Sequence, residues 1–167
     1  MKNRVGLVTV TYNSEKDIEE FLTSCSIQTH QDIILYVVDN DSSDQSLKNI
    51  REFNNKKDLS INVFEMNKNM GISYGNNFGI KKAMSDKCDW IILINNDTAF
   101  GPDLVSSLIN SDSMVNVPLI TYYGDKEKIW FYKGFFNKYK GFTGTHLMKD
   151  KELQNISTSE IEYTEYS

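Results

Sequence analysis

Four short, almost unbroken apolar runs, separated by stretches with helical periodicity, constrain this chain more than any other feature. They occupy residues 5–10, 33–38, 61–65 and 90–94, and the first is rich in β-branched positions (Val5, Val8, Thr9, Val10). A strand apolar on both faces must be covered on both faces, which is the condition of a strand inside a parallel sheet. Between the first two runs, Ile18, Phe21, Leu22 and Cys25 recur at i, i+3, i+4 and i+7, one buried helix face. Leu47, Ile50 and Phe53 supply the inner face of a second helix. Residues 71–84 read as a loop entering a third helix, weakened by Gly75 and Gly79. Pro102 can open a short fourth helix, with Leu104, Val105 and Leu108 packing inward. Ser14 with Asp17, and Ser43 with Asp44, supply start signals for the first two helices. The expected fold class is α/β, a mostly parallel, Rossmann-like sheet flanked by helices.

Composition excludes several function classes. With 167 residues, 40% of them hydrophobic and 25% charged, the chain can bury a core without disulfides or metal, and one domain is expected. A net charge of −5 leaves no basic footprint for nucleic acid. Cys25 and Cys88 lie far apart in apolar settings and read as buried, reduced thiols, while His30 and His146 are isolated. No run approaches the roughly 18 apolar residues of a membrane span. The run behind Lys2 and Arg4 is too short for a secretory leader, so the expected location is cytoplasmic.

The pattern changes after about Ser111. Residues 115–122 read as a further strand and 129–136, with their aromatic side chains, as a hairpin. Lys133, Lys138 and Lys140 read as a solvated face, and the tail over 150–167 is polar and acidic.

In an open parallel sheet, ligands bind beyond the carboxyl ends of the strands. Three runs end there in polar clusters: Thr11-Tyr12-Asn13, then Asp39-Asn40-Asp41-Ser42-Ser43-Asp44, then Asn95-Asn96-Asp97. Turn and cap chemistry explains Ser14, Ser43 and Asp44 well. It explains Asp39 and Asp97 less well, because a carboxylate directly behind an apolar strand needs a partner or a ligand. Asp97 could hold a hard divalent cation, and Asp39 could accept from a base N–H or a sugar hydroxyl. The segment 67–79 mixes glycines, amides and one lysine, and its backbone N–H groups could approach an anion.

The succession of Thr11-Tyr12-Asn13, Asp39-Asn40-Asp41-Ser42, Gly71 with Gly75-Asn76-Asn77-Phe78-Gly79, and Asn95-Asn96-Asp97 resembles the donor half of family 2 glycosyltransferases, and within it the rhamnosyltransferase-like branch. The likeness covers residues 5–100 well and the aromatic stretch loosely. It implies a GT-A fold, a nucleotide-diphospho-sugar donor, a divalent metal (Mn²⁺ or Mg²⁺) and an inverting transfer to a saccharide or lipid-linked acceptor, as in polysaccharide biosynthesis. Residues 1–110 would form the donor-binding region, and 111–167 the start of an acceptor-side region that stops short.

By the same resemblance, Thr11 and Asn13 lie against the nucleoside, with Tyr12 beside the base. Asp39 bonds the base and Asn40 lines that pocket. Gly71, Asn76 and Asn77 flank the ribose and diphosphate, Asn96 belongs to the same substrate site, and Asp97 is the metal ligand. Asn95 stands where many members carry a further acid. No residue matches the family's catalytic base; His146, Glu162 and Glu165 titrate, but nothing around them in sequence promotes them. Peripheral membrane association and a homo-oligomer are both compatible with this reading. The alternative is a nucleotide-sugar-binding module without transfer. A receiver-like signalling domain fits less well, because Thr11-Tyr12-Asn13 supplies no paired acid.

Overall fold

The structure is a computed structural model that describes residues 3–54, 59–111, 113–137, 143–147 and 149–153, with backbone only for 133–137 and 143–147. The chain divides into two compact units, Met1–Ser106 and Ser107–Ser167, and each is described by itself.

Unit one is built on four strands: β1 (Val5–Thr11), β2 (Ile33–Asp39), β3 (Ser60–Glu65) and β4 (Trp90–Leu93). They form one sheet in the order β3-β2-β1-β4, and every pairing is parallel. The connecting helices are α1 (Ile18–Ser26), α2 (Ser46–Asn54) and α3 (Ile72–Ser85), and α4 (Leu104–Ile109) follows β4. This is the expected α/β class, a parallel sheet flanked by helices.

Right-handed crossovers dictate which face each helix covers. The chain steps one way from β1 through β2 to β3, so α1 and α2 share a face. It then steps back past β1 to β4, which sends α3 to the other face. The seam under α3 explains the two glycines that weaken its helix propensity. Gly75, Gly79 and Ala83 recur every fourth residue and meet Val10, Val8 and Gly6, which recur every second residue of β1. Four helical residues rise about 6.0 Å. Two strand residues rise about 6.6 Å, so the antiparallel stripes stay in step. A Cβ on Gly75 would lie 2.6 Å from Val10 Cγ2, and one on Gly79 would collide with Val8 Cγ1. Helix and sheet approach this closely only because the helix side is bare.

On the other face of β1 lie Val5, Leu7, Thr9 and Thr11, all buried. α1 buries Ile18, Phe21, Leu22 and Cys25 as expected, and α2 buries Ile50. Burial pushes the Cys25 thiol well above its ordinary range, while Cys88 is only half-buried. His30 is tied by Nε2 to the carbonyl of Asn3 at 2.7 Å, a structural role.

Several local expectations are corrected. Asp17 stands at the N-cap of α1 without a side-chain bond; the carbonyl of Ser14 instead accepts from the amides of Asp17 and Ile18. At the start of α2, Asp44 rather than Ser43 takes the free amide, that of Ser46 at 2.9 Å. α4 buries Val105 and Ile109, four residues apart, rather than Leu104 and Leu108.

The described residues of unit two form two antiparallel pairs. β5 (Ile120–Tyr122) pairs with β6 (Asp125–Phe131) around Tyr123 and Gly124, and β7 (Lys133–Asn137) pairs with β8 (Thr143–Leu147). The strand expected over 115–122 shrinks to its last three residues. Pro118 has no N–H for a ladder and restricts Val117 before it. The hairpin expected over 129–136 does not form: that stretch divides between β6 and β7, which belong to different sheets. The turn chemistry lies at Gly124 instead. Ile129 is fully buried, and its backbone exchanges hydrogen bonds with Asp150 and Lys151. Lys138 and Lys140 lie outside the described residues.

Candidate functional site

Because the strands of unit one are parallel, their carboxyl ends share one edge. β1 lies between β2 and β4, and the chain leaves it in one direction and returns on the other side, so the crevice of the fold opens beyond this edge. Thr11 and Asp39 are Cα partners at the last step of the β1–β2 ladder, and Glu65 is the next partner across. Thr11 and Asp39 therefore point to the same face, and both are buried. Asp39 Oδ2 accepts the amide of Ser42 at 3.0 Å. Its Oδ1, with Thr11 Oγ1 and Thr9 Oγ1 on the same face, is buried without a hydrogen-bond partner. Leaving such an atom unpaired costs about 1–3 kcal/mol.

The loops beyond these strands are braced to one another. The Asn13 amide donates to Ser42 Oγ at 3.0 Å, and Asn13 Oδ1 accepts the Ser43 amide at 2.8 Å. The Ser14 amide donates to Ser46 Oγ at 2.7 Å. Asp44 Oδ2 accepts the Glu15 amide at 3.0 Å, and Glu15 Oε2 accepts the Gln45 amide at 3.1 Å. Burial pushes the Asp44 carboxyl up, but the hydrogen bonds from Ser46 and from the Glu15 amide outweigh it and hold it below its ordinary value. Asn40 Oδ1 accepts the Met70 amide at 3.1 Å, which ties the end of β2 to the loop before α3. Asn96 Nδ2 donates to Ser14 Oγ at 2.9 Å, which ties the turn after β4 to the β1–α1 loop. Asn13 and Asp41 hold left-handed backbone with φ of 50° and 71°, a conformation that Asn and Asp tolerate better than other side chains.

α3 presents its N-terminus to this edge. Gly71 precedes it with φ 81°, and its amide is taken by Asn69 Oδ1 at 2.9 Å. The first bond along the helix runs from the Gly75 amide to the Gly71 carbonyl. The amides of Ile72, Ser73 and Tyr74 come before it and have no acceptor within the helix. Such a helix start attracts an anion.

The sequence-expected residues divide accordingly. Thr11 and Asp39 come together with free polar atoms. Tyr12 is 51% exposed on the rim. Asn13, Asn40 and Asn96 join the same edge, but their side chains bond neighbouring loops. Gly71 enters α3, whereas Asn76 and Asn77 lie in its second turn rather than in a loop; Asn76 is half-buried and Asn77 exposed. The expectation of depth holds for Asp39 and fails for Asp97. β4 ends at Leu93, and the turn after it carries Asn95 and Asp97 into solvent while Asn96 turns inward. Sequence reasoning missed Ser14, Glu15, Ser42 and Ser46 as braces; their clustering behind strand ends was visible, but their partners lie about thirty positions away.

Among the described residues no group of three or more His, Cys, Asp or Glu side chains converges as a metal site. One exposed carboxylate at Asp97 fits a hard cation that draws its remaining ligands from phosphate oxygens and water, and does not fit an all-protein cage. No described helix is long and apolar enough to cross a membrane.

Comparison with known proteins identifies the family. An uncharacterized glycosyltransferase of Haemophilus influenzae is 26% identical over 106 residues, which are 64% of this chain and 41% of that protein. The crystal structure of S. aureus TarS 1-349 in complex with UDP-GlcNAc is 26% identical with a TM-score of 0.57, over 62% of this chain and 29% of that one. The mannosyltransferase PcManGT of Pyrobaculum calidifontis, solved with GDP-Man and Mn²⁺, shares the fold at 20% identity and a TM-score of 0.58, over 65% of this chain and 32% of that one. The chain thus spans well under half the length of these relatives. The family model described as glycosyl transferase family 2 matches residues 7–160, and with the parallel sheet and its braced edge this establishes that the chain belongs to that family.

Proposed function

We propose that the carboxyl edge of unit one binds a nucleoside-diphospho-sugar, and that the chain serves an inverting, metal-assisted glycosyl transfer. The observation that carries this reading is Asp39: a buried carboxylate with Oδ2 pinned by the Ser42 amide and Oδ1 unpaired beside Thr11 Oγ1. A uracil or thymine N3–H is the kind of donor that would complete Oδ1. That atom is closed to solvent, so base entry has to shift the side chains that cover it. The UDP-GlcNAc held by TarS supports a uridine-type donor.

The remaining roles belong to the same reading, supported by the family resemblance and by where the residues lie. Tyr12 offers a half-exposed ring for a base face. The free amides that open α3 would receive diphosphate oxygens, with Gly71 allowing close approach and Asn76 and Asn77 flanking. Asp97 would hold the cation, which supplies charge neutralisation on the leaving diphosphate. The acceptor is proposed to be a saccharide or lipid-linked saccharide, and the chain to act in the cytoplasm. The rhamnosyltransferase-like assignment belongs to this proposal on the strength of the four motifs alone. An inverting transfer needs a base for the acceptor hydroxyl. Glu162, Glu165 and the His146 side chain lie outside the described residues, and no base is assigned.

Calorimetric titration of the 167-residue chain with UDP and dTDP, with and without Mn²⁺, tests the reading. Binding strengthened by Mn²⁺ and weakened at least about ten-fold by Asp39→Ala is expected. Absence of binding to either nucleotide refutes it. A radiolabelled-donor assay then separates transfer from binding alone.

A further inference from the structure

We propose that Ser42 is a positioning residue that aims Asp39 at the ligand, an inference that rests on the donor reading above. A carboxylate on two rotatable bonds presents a defined oxygen only if the other oxygen is held. Here the Ser42 amide holds Oδ2 at 3.0 Å, three residues beyond Asp39 itself. That hold is as rigid as the turn that carries it, and the turn includes Asp41 in left-handed backbone at φ 71°. Such backbone persists when its surroundings over-determine it. The Ser42 side chain supplies that determination, because its Oγ accepts the Asn13 amide at 3.0 Å and so fastens the turn to the loop after β1.

Asn13 is itself held in left-handed backbone, at φ 50°, and returns the grip by accepting the Ser43 amide. The strands below are closed by the Asn40 amide on the Thr11 carbonyl at 2.8 Å. Ser42 therefore works through both of its polar groups, each with a different partner. Its amide faces Asp39, and its hydroxyl oxygen faces the neighbouring loop. A side chain whose only task was to favour a turn would not need the second contact.

The test uses the full 167-residue chain and Ser42→Ala, which removes the hydroxyl and keeps the amide, with Ser42→Thr as the conservative rescue. UDP and N3-methyl-UDP are the probes, since methylation removes the hydrogen that Asp39 would accept. Ser42→Ala is expected to raise the Kd for UDP roughly three- to ten-fold and not to raise that for N3-methyl-UDP, whose methyl group would meet the aimed Oδ1 in the parent. Ser42→Thr should restore both the affinity and the discrimination. A general loosening would weaken both ligands alike and would overturn the proposal, as would an alanine variant that still discriminates like the parent.

A ligand-free measurement separates this inference from the donor reading. In Ser42→Ala the amide of residue 42 should exchange its hydrogen about five-fold faster or more. Should the parent chain bind no UDP, the donor reading falls, and this exchange rate alone decides whether Ser42 holds Asp39. An unchanged rate sinks the positioning role.

Discussion

Ser14 Oγ accepts the Nδ2 hydrogen of Asn96 at 2.9 Å, which joins the loop after β1 to the turn after β4 across the opening where the sheet reverses its order. Asn96 is buried while Asn95 and Asp97 on either side are exposed. The bond therefore anchors the turn that carries Asp97. Ser14→Ala would leave the amide of Asn96 without its acceptor while the Ser14 backbone keeps its bond to Ser46. A loss of about 1–3 kcal/mol is expected, read as a lower urea midpoint at unchanged slope.

The α3 seam gives a prediction of opposite sign to helix propensity. Alanine for glycine inside a helix gains about 1 kcal/mol from propensity. At Gly79 the added methyl would run into Val8, and at Gly75 into Val10. Overpacking costs about 1–3 kcal/mol and more where backbone must move, so Gly79→Ala should lower the melting temperature. Combining it with Val8→Ala should cost less than the two separate effects added together.

Gly71 behaves differently, because a side chain there meets open space and only its φ of 81° opposes substitution. Gly71→Ala and Gly71→Asn are each expected to cost about 1–3 kcal/mol through the backbone alone, since φ 81° with ψ 164° lies in a region that only glycine occupies readily. Equal melting temperatures for Ala, Asn and Gly would contradict that origin.

Asp97 is exposed and Asp39 buried, so their replacements should separate. Asp97→Asn should abolish the Mn²⁺-dependent gain in UDP affinity and leave the metal-free Kd within about two-fold, since an exposed single carboxylate contributes little by itself. Parallel titrations with and without Mn²⁺ read this directly, and an undiminished metal effect would remove Asp97 from the site.

Asp44 supplies a pH dependence. Its carboxyl is held below its unfolded value by the hydrogen bonds it accepts from Ser46 and Glu15. A depressed carboxyl stabilises the fold above its unfolded pKa, near 3.9, and loses that contribution as pH falls through the lower folded value. Asp44→Asn should thus melt below the parent at neutral pH, and the gap should close as pH drops below about 4. Thermal melts at several pH values check the convergence.

The sequence alone determined the α/β class, the four strands and the edge where polar residues gather, because apolar runs and helical periodicity are local signals that burial enforces. Thr11 and Asp39 were legible for the same reason, as polar groups directly behind buried strands. Tertiary structure alone decided which amides are free. Asn13, Asn40 and Asn96 read alike in one dimension, yet each is taken up by a loop about thirty or more positions away. The exposure of Asp97, the seam beneath Gly75 and Gly79, and the division of the aromatic stretch between two sheets are of the same kind. Each depends on which distant backbone arrives alongside, and chain periodicity carries no record of that.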